Sequence, residues 1–165
     1  MKKAIFGIVT VIVLGLLFWG GSVASNNSIV QGQHSAAVAS ALSAPETFFD
    51  FGAISMKDGK VRRLFTLKNA GEQAVTVKKL TTSCMCTEAF AVNGDRRAGP
   101  FSMPGHGFVP PANEIVPAGG TLGIDVVFDP AAHGPAVIGR IERAIFIEDE
   151  AGGVQTLTIR AMVTP

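Results

Sequence analysis

A chain of 165 residues with a formal net charge of +1 has room for one ordinary domain and a short extra segment, but not for two full domains. The near-neutral charge and the scattered placement of the basic residues argue against a nucleic-acid partner, which would need a concentrated basic face. The 19 glycines and 9 prolines, with no tyrosine, fit a turn-rich β domain.

The N-terminal segment is apolar and predicts the compartment of everything that follows it. Two lysines precede residues 4–19, which carry no charge, and this order predicts a cytoplasmic N-terminus with the rest of the chain extracytoplasmic. Residues 1–24 fit two alternatives. As an uncleaved transmembrane helix they reach roughly the 20 residues needed to span a bilayer, with Trp19 as an interfacial anchor. As a signal peptide they would be cleaved after the small residues at 22–24, and the chain would be secreted. We favour the single-pass anchor, which makes the cell membrane the first expected partner.

Residues 25–46 are rich in Ser, Ala, Asn and Gln and predict a flexible stalk, with room for a short helical turn over residues 36–42. His34 lies in this stalk. We expect its side chain to be solvated and assign no chemistry to it.

Residues 47–165 show short alternating segments separated by turns, and they predict one β domain. In the clearest segment, residues 122–128, an apolar side chain occupies every second position. In the third segment Leu80 is out of phase with Val75 and Val77, which indicates a β-bulge near Lys78 and Lys79. The seven predicted strands cover residues 47–54, 60–69, 74–82, 113–116, 122–128, 140–148 and 154–163.

Seven short strands without a helix predict an all-β fold, a two-sheet antiparallel sandwich. Burial of the apolar faces between the sheets drives its folding, at about 25 cal/mol per Å² of apolar surface. Residues 88–112 are interpreted as one long irregular loop, and a loop of that length inside a compact domain is usually functional or disordered.

The two cysteines, Cys84 and Cys86, follow the third predicted strand. On an extended chain they would share one face, with Met85 pointing away, so we do not assign Met85 as a ligand. Extracytoplasmic thiols are oxidised unless a metal or a reductant protects them. A disulfide between the two cysteines is therefore one alternative, although an extended strand would put their Cα atoms near the upper limit of about 6.8 Å unless the chain turns there.

The alternative to a disulfide is a soft metal site. If consecutive strands run up and down, the loop after the fifth strand brings His133 to the end of the domain that holds Cys84 and Cys86. The 88–112 loop would leave from the same end with Met103 and His106. Thiolate, thioether and imidazole donors favour copper, as Cu(I), and permit zinc. Each of these residues, taken alone, could instead have a purely structural role. Met103 could pack onto the core, and each histidine could be a turn residue.

Four segments occur in an order that resembles a known family: residues 49–54 (FDFGAI), 65–71 (FTLKNAG), 83–87 (SCMCT), and the Pro-Ala-Gly-Gly turn before a strand ending Phe-Asp. The series is similar to the bacterial domain-of-unknown-function 1573 family over residues 47–163. The resemblance implies an immunoglobulin-like fold related to major sperm protein and ASH/Hydin domains, an extracytoplasmic module, and no established activity. The family commonly has glycine where Met85 stands, and the loop over residues 88–112 is longer than expected.

These observations lead to two functional hypotheses. The first is a membrane-tethered, non-enzymatic domain with a soft metal site built from Cys84, Cys86, Met103, His106 and His133. The second is a structural or protein-binding module whose cysteines form a disulfide or stay as buried thiols, with no cofactor; its exposed sheet edges could accept a partner strand. An enzyme is not expected, because no nucleophile elbow, phosphate-binding glycine loop, paired carboxylates or Cys-x-x-Cys motif is present. A small redox carrier is a third option.

Overall fold

The structure is a computed structural model, and it describes residues 40–165. The predicted anchor at residues 1–24 and most of the predicted stalk lie outside the described residues. Within residues 40–165, no helix has the length and apolar character needed to cross a membrane.

The described part of the chain is a β sandwich with two short 3₁₀ turns, Met56–Asp58 and Gly134–Val137. Its ten strands are β1 (Leu42–Ser43), β2 (Phe48–Ser55), β3 (Val61–Asn69), β4 (Val75–Thr82), β5 (Thr87–Asn93), β6 (Arg96–Phe101), β7 (Glu114–Val116), β8 (Thr121–Phe128), β9 (Gly139–Asp149) and β10 (Val154–Thr164). The first sheet has the order β1-β3-β8-β5-β6, and the second has the order β2-β10-β9-β4-β7.

All seven predicted strands are present, and in the clearest of them the predicted alternation matches the burial. In β8 the residues at every second position are buried, and in β3 Phe65 and Leu67 point into the core. The expected bulge is confirmed, because the pairing of β4 with β9 shifts register between Val77 and Lys79. This shift lets Val77 and Leu80 both reach the core, although Leu80 comes an odd number of positions, three, after Val77.

The number of strands was predicted wrongly. The segment interpreted as one long loop contains the β5–β6 hairpin, closed by the two residues Gly94 and Asp95 between the paired Asn93 and Arg96. Its inward side chains include Ala89 and Ala91, which are too small to give a strong apolar alternation. The third additional strand, β1, lies in the predicted stalk, so the folded domain begins before residue 47.

The sandwich is also not wholly antiparallel, because β2 pairs with β10 in parallel. The two strands are at opposite ends of the domain sequence, and β2 is followed by a strand of the other sheet rather than by a hairpin partner. Alternation within a strand indicates which face is buried, but it carries no information on the direction of a distant partner.

The core lies between the two sheets and is made of large aliphatic and aromatic side chains. Phe65, Phe101 and Phe128 are fully buried there, together with leucine and isoleucine side chains from both sheets. Burial of these faces, at about 25 cal/mol per Å² of apolar surface, is the main driving force for the sandwich.

One end of the sandwich is organised by two buried polar side chains. Asn69 Nδ2 lies within 2.7 to 3.1 Å of the carbonyl oxygens of Gln73, Val116 and Pro117, and its Oδ1 accepts from Gly71 N at 3.0 Å. The side-chain amide thereby takes the place of missing backbone partners in the turn after β3.

The second buried group is Asp149, which is 3% exposed. Its carboxylate accepts from Ser40 Oγ at 2.7 Å, Ala41 N at 3.2 Å, Ala151 N at 3.0 Å and Gly153 N at 2.8 Å. Burial alone would raise the pKa of Asp149, but the four hydrogen bonds favour the charged form and hold the pKa below its usual 3.8. This carboxylate joins the start of the folded domain to the turn between β9 and β10.

Candidate functional site at the cysteine turn

Cys84, Met85 and Cys86 lie in a turn between β4 and β5 rather than on an extended strand. Thr87 N donates to Cys84 O at 3.1 Å and closes the turn, and Thr82 Oγ1 lies 3.0 Å from the same carbonyl oxygen. The turn brings the two cysteine Cα atoms to 5.3 Å, and a disulfide joins the sulfurs. We expected a Cys84–Cys86 disulfide to require a turn at this point of the chain. The structure has that turn.

The two sulfurs differ in exposure. Cys86 is 3% exposed and contributes to the core, whereas Cys84 is half-buried. Met85 is 49% exposed. We call this turn, together with the two side chains described next, the cysteine site.

The first of these side chains is His133, whose Nε2 lies 3.4 Å from Cys84 Sγ. It comes from the loop after β8. That loop is placed by the antiparallel pairing of β5 with β8, which puts Phe128 opposite Thr87, and by Asp129 N donating to Cys86 O at 2.9 Å. The end of β8 therefore lies beside the start of β5, and the loop after it reaches the cysteines.

The second is Arg143 on β9, whose Nε donates to Cys86 Sγ at 3.3 Å. The pairing of β9 with β4 continues past Thr82, because Ser83 N donates to Ala144 O and Ala144 N donates to Ser83 Oγ, both at 2.9 Å. Arg143 is next in line and reaches the buried sulfur. A cationic N–H donor next to a sulfur stabilises negative charge on that sulfur.

Two further donors complete the surroundings of the sulfurs. Cys86 N donates to Cys84 Sγ at 3.4 Å, and Thr87 Oγ1 lies 3.7 Å from Cys86 Sγ. Each sulfur therefore has two neighbours: a backbone amide or a hydroxyl group, and a nitrogen-bearing side chain from a distant part of the chain.

Of the five predicted donor residues, the structure brings three together. The donor atoms of Cys84, Cys86 and His133 all lie within 4.8 Å of one another, the only such group of His, Cys, Asp or Glu in the part of the chain that the structure describes. His106 does not belong to this group.

The path of the loop explains where Met103 and His106 lie. The loop does leave from the cysteine end, because Thr82 N donates to Ser102 O at 3.4 Å. It then runs down beside β4, where Ala112 N donates to Lys78 O at 2.9 Å, while His106 N donates to Met103 O at 3.4 Å within the loop itself. The role of Met103 as a ligand stays a prediction.

Arg143 was missed by sequence reasoning. A lone arginine within a strand has no distinguishing local pattern, and only the β4–β9 pairing identifies it. Had that pairing been assumed, counting outward from Thr82 opposite Ile145 would have placed Arg143 beside the cysteine turn.

The family resemblance is confirmed for the first half of the domain. The family model described as "Protein of unknown function (DUF1573)" matches residues 42–93, which include the cysteine turn. No curated protein matches the chain.

Solved structures show a similar fold at low sequence identity. A protein of unknown function from Porphyromonas gingivalis W83 is 15% identical with a TM-score of 0.54, over 81% of this chain and 51% of that one, so this chain spans about half its length. A family 123 glycoside hydrolase from Clostridium perfringens is 8% identical with a TM-score of 0.51, over 72% of this chain and 23% of that one. The ASH/PapD-like domain 7 of human CEP192 is 10% identical with a TM-score of 0.47, over 76% and 87%. The described part of the chain is a two-sheet β sandwich, and likenesses at these identities speak to the fold alone.

Proposed function

We propose that this protein is an extracytoplasmic, membrane-tethered immunoglobulin-like domain that binds one soft metal ion through Cys84, Cys86 and His133 when its two thiols are reduced. The observation that carries the proposal is that these three donor atoms, from two distant parts of the chain, lie within 4.8 Å of one another. The role is metal binding or delivery rather than catalysis.

The donor set favours copper in the Cu(I) state. Two thiolates and one imidazole are soft or borderline ligands, and the group contains no carboxylate of the kind that calcium or magnesium requires. Zinc is the second candidate, because it accepts the same ligands. It ranks below copper because it usually takes four ligands and this group supplies three.

The disulfide sets the condition for binding. A sulfur that is shared in a disulfide is not a thiolate, so only the reduced pair can hold the ion. When bound, the metal would supply a soft Lewis acid at the surface of the domain. His133 would hold it through Nε2, the nitrogen that faces Cys84 Sγ.

The test is a copper titration of the full chain, reduced without oxygen and kept in mild detergent, against a chromophoric Cu(I) chelator. The reduced chain should retain close to one equivalent, and the oxidised chain none. Cys86→Ser and Cys84→Ser should abolish retention, and His133→Ala should weaken the affinity by about tenfold or more. His106→Ala is the matched control for the second histidine, and it should bind like the unsubstituted chain. Absence of copper and zinc binding by the reduced chain would end the proposal.

A second candidate function is a structural or protein-binding module. The observation that favours it is the disulfide itself, which leaves no free thiol in the described residues. The two candidate functions are distinguished by counting free thiols in the chain isolated from its own compartment, both in the native state and after unfolding. A pair that is always oxidised supports the structural module, and a pair that is found reduced supports metal binding.

The tether is part of the first proposal and has its own test. The charge order of residues 1–24 supports an anchor with the folded domain outside the cytoplasm. Deletion of residues 4–24 should move the chain out of the membrane fraction. If the chain without the deletion is instead recovered in the soluble fraction and its mass is lower by that of the leader, the leader is cleaved.

A further inference from the structure

We infer that the Cys84–Cys86 disulfide undergoes thiol–disulfide exchange with an external dithiol, with Cys84 as the sulfur attacked, Cys86 as the leaving sulfur, and Arg143 as a positioning residue for the leaving sulfur. This exchange would switch the metal site from its closed, oxidised form to its binding form. The switch rests on the proposed metal function, but the exchange step requires no metal.

The difference in exposure decides which sulfur is attacked. An incoming thiolate must approach along the line of the bond between the two sulfurs, and it needs access to the sulfur that it attacks. Cys84 is half-buried at the surface, whereas Cys86 is 3% exposed and packed into the core. The buried sulfur is therefore protected from attack and becomes the leaving group.

The surroundings of Cys86 fit a leaving sulfur. The Arg143 Nε donates to its Sγ at 3.3 Å, and the Thr87 hydroxyl is 3.7 Å away. The negative charge that develops on Cys86 Sγ during exchange meets a guanidinium that is already in place, and charge-assisted hydrogen bonds of this kind are about twice as strong as neutral ones. On Cys84, the Cys86 amide N–H at 3.4 Å faces the sulfur that leaves in the second step.

The reaction balances with a dithiol as the reductant. In the first step a thiolate of the dithiol bonds to Cys84 Sγ, the disulfide bond breaks, and its electron pair stays on Cys86 Sγ. In the second step the other sulfur of the dithiol, after losing its proton to solvent, bonds to the first, and Cys84 Sγ leaves with the electron pair. The protein disulfide gains two electrons, the dithiol loses two and becomes a disulfide, and the protons pass through solvent.

The first experiment locates the attacked sulfur. The oxidised full chain, with a chelator present, is treated with glutathione, quenched with acid and alkylated. Tandem mass spectrometry then assigns the glutathione adduct to Cys84 or Cys86. We expect the adduct on Cys84 in an excess of about ten to one, with the alkylating group on Cys86. An adduct mainly on Cys86 would overturn the inference, and so would no adduct on the native chain when the urea-unfolded chain forms one.

The second experiment tests Arg143 through the rate of reduction by dithiothreitol. Arg143→Gln should slow reduction about tenfold, and Arg143→Lys, which keeps the charge, should recover most of the rate. Arg160→Gln is the matched control, because Arg160 lies on the same sheet but pairs with Glu142, and it should leave the rate unchanged. Equal rates for Arg143→Gln and the unsubstituted chain would overturn the role of Arg143. Exchange without metal binding would contradict only the proposed function, whereas metal binding after chemical reduction without native exchange would contradict only this inference.

Discussion

The two ends of the sandwich use polar groups in different ways. At the end that holds Asn69 and Asp149, each buried polar side chain bonds mainly to backbone groups of the turns around it. At the cysteine site, His133 and Arg143 contact sulfur atoms and satisfy no backbone group of the turn that holds those atoms. The first arrangement holds turns together, and the second sets the chemistry of a sulfur pair. Substitutions at the first end should therefore cost stability, while substitutions at the second should cost metal binding and disulfide reactivity.

The largest expected loss of stability comes from Asp149→Ala. Four donors lose their acceptor: the hydrogen bond from Gly153 N is buried, and those from Ser40 Oγ, Ala41 N and Ala151 N are part-buried. We expect the free energy of unfolding to fall by about 3 kcal/mol, measured by urea unfolding. Glu148→Ala is the control, because its ion pair with Lys79 is on the surface, and it should change stability by less than about 1 kcal/mol. Equal effects for the two variants would show that the buried carboxylate contributes no more stability than a surface ion pair.

Asn69→Ala should cost about 2 kcal/mol, because the carbonyls of Val116 and Pro117 and the Gly71 N–H lose their partner in a buried turn. Lys68→Ala, on the exposed face of the same strand, is the control. Thermal unfolding of both variants measures the difference. A melting temperature for Asn69→Ala equal to that of Lys68→Ala would show that the turn is held by other contacts.

At the cysteine end, Cys84→Ser combined with Cys86→Ser should cost only about 1.5 kcal/mol, because a disulfide between residues two apart closes a very short loop. The same variant should lose all metal retention. Urea unfolding and copper titration on one preparation give both numbers. A loss of stability as large as that of Asp149→Ala would assign the disulfide to the structural module instead.

The smallest expected effect is the pH dependence contributed by Asp149. Its pKa in the folded chain is below the usual 3.8, so its carboxylate stabilises the fold above that value, and the contribution is lost as the pH falls through the lowered pKa. When the pH falls from about 5 to strongly acidic values, the free energy of unfolding should therefore decrease more for the unsubstituted chain than for Asp149→Asn, which has no carboxylate at this position. Urea unfolding of the two chains at several pH values checks this, and parallel curves would contradict it.

Much of the fold was predictable from the sequence, because large apolar side chains at every second position predict buried strand faces. The same signal is weak where Ala89 and Ala91 point inward, and this is why β5 and β6 were interpreted as a loop. The prediction that His133 lies at the cysteine end was still correct, because a hairpin adds two strands and returns the chain to the end from which it left. The position of His106 depends on where one loop runs after Ser102, and no alternation predicts that.

The site itself was predictable only in part. Neighbouring cysteines mark a reactive point in any sequence, and strand order brought one histidine to them. The contribution of Arg143 depends on the pairing of β9 with β4 across more than 50 residues, and its distance from Cys86 in sequence is 57 positions. Side chains that meet through sheet register alone leave no local signal.

The central claim is that the reduced cysteine site binds one soft metal ion through two sulfurs and one nitrogen. Copper X-ray absorption spectroscopy of the reduced full chain loaded with one equivalent of Cu(I) tests it most directly. The account predicts two sulfur ligands and one imidazole nitrogen, with the nitrogen contribution lost in His133→Ala and kept in His106→Ala. A copper environment without imidazole, or one that is the same in the unsubstituted chain and in His133→Ala, would contradict it.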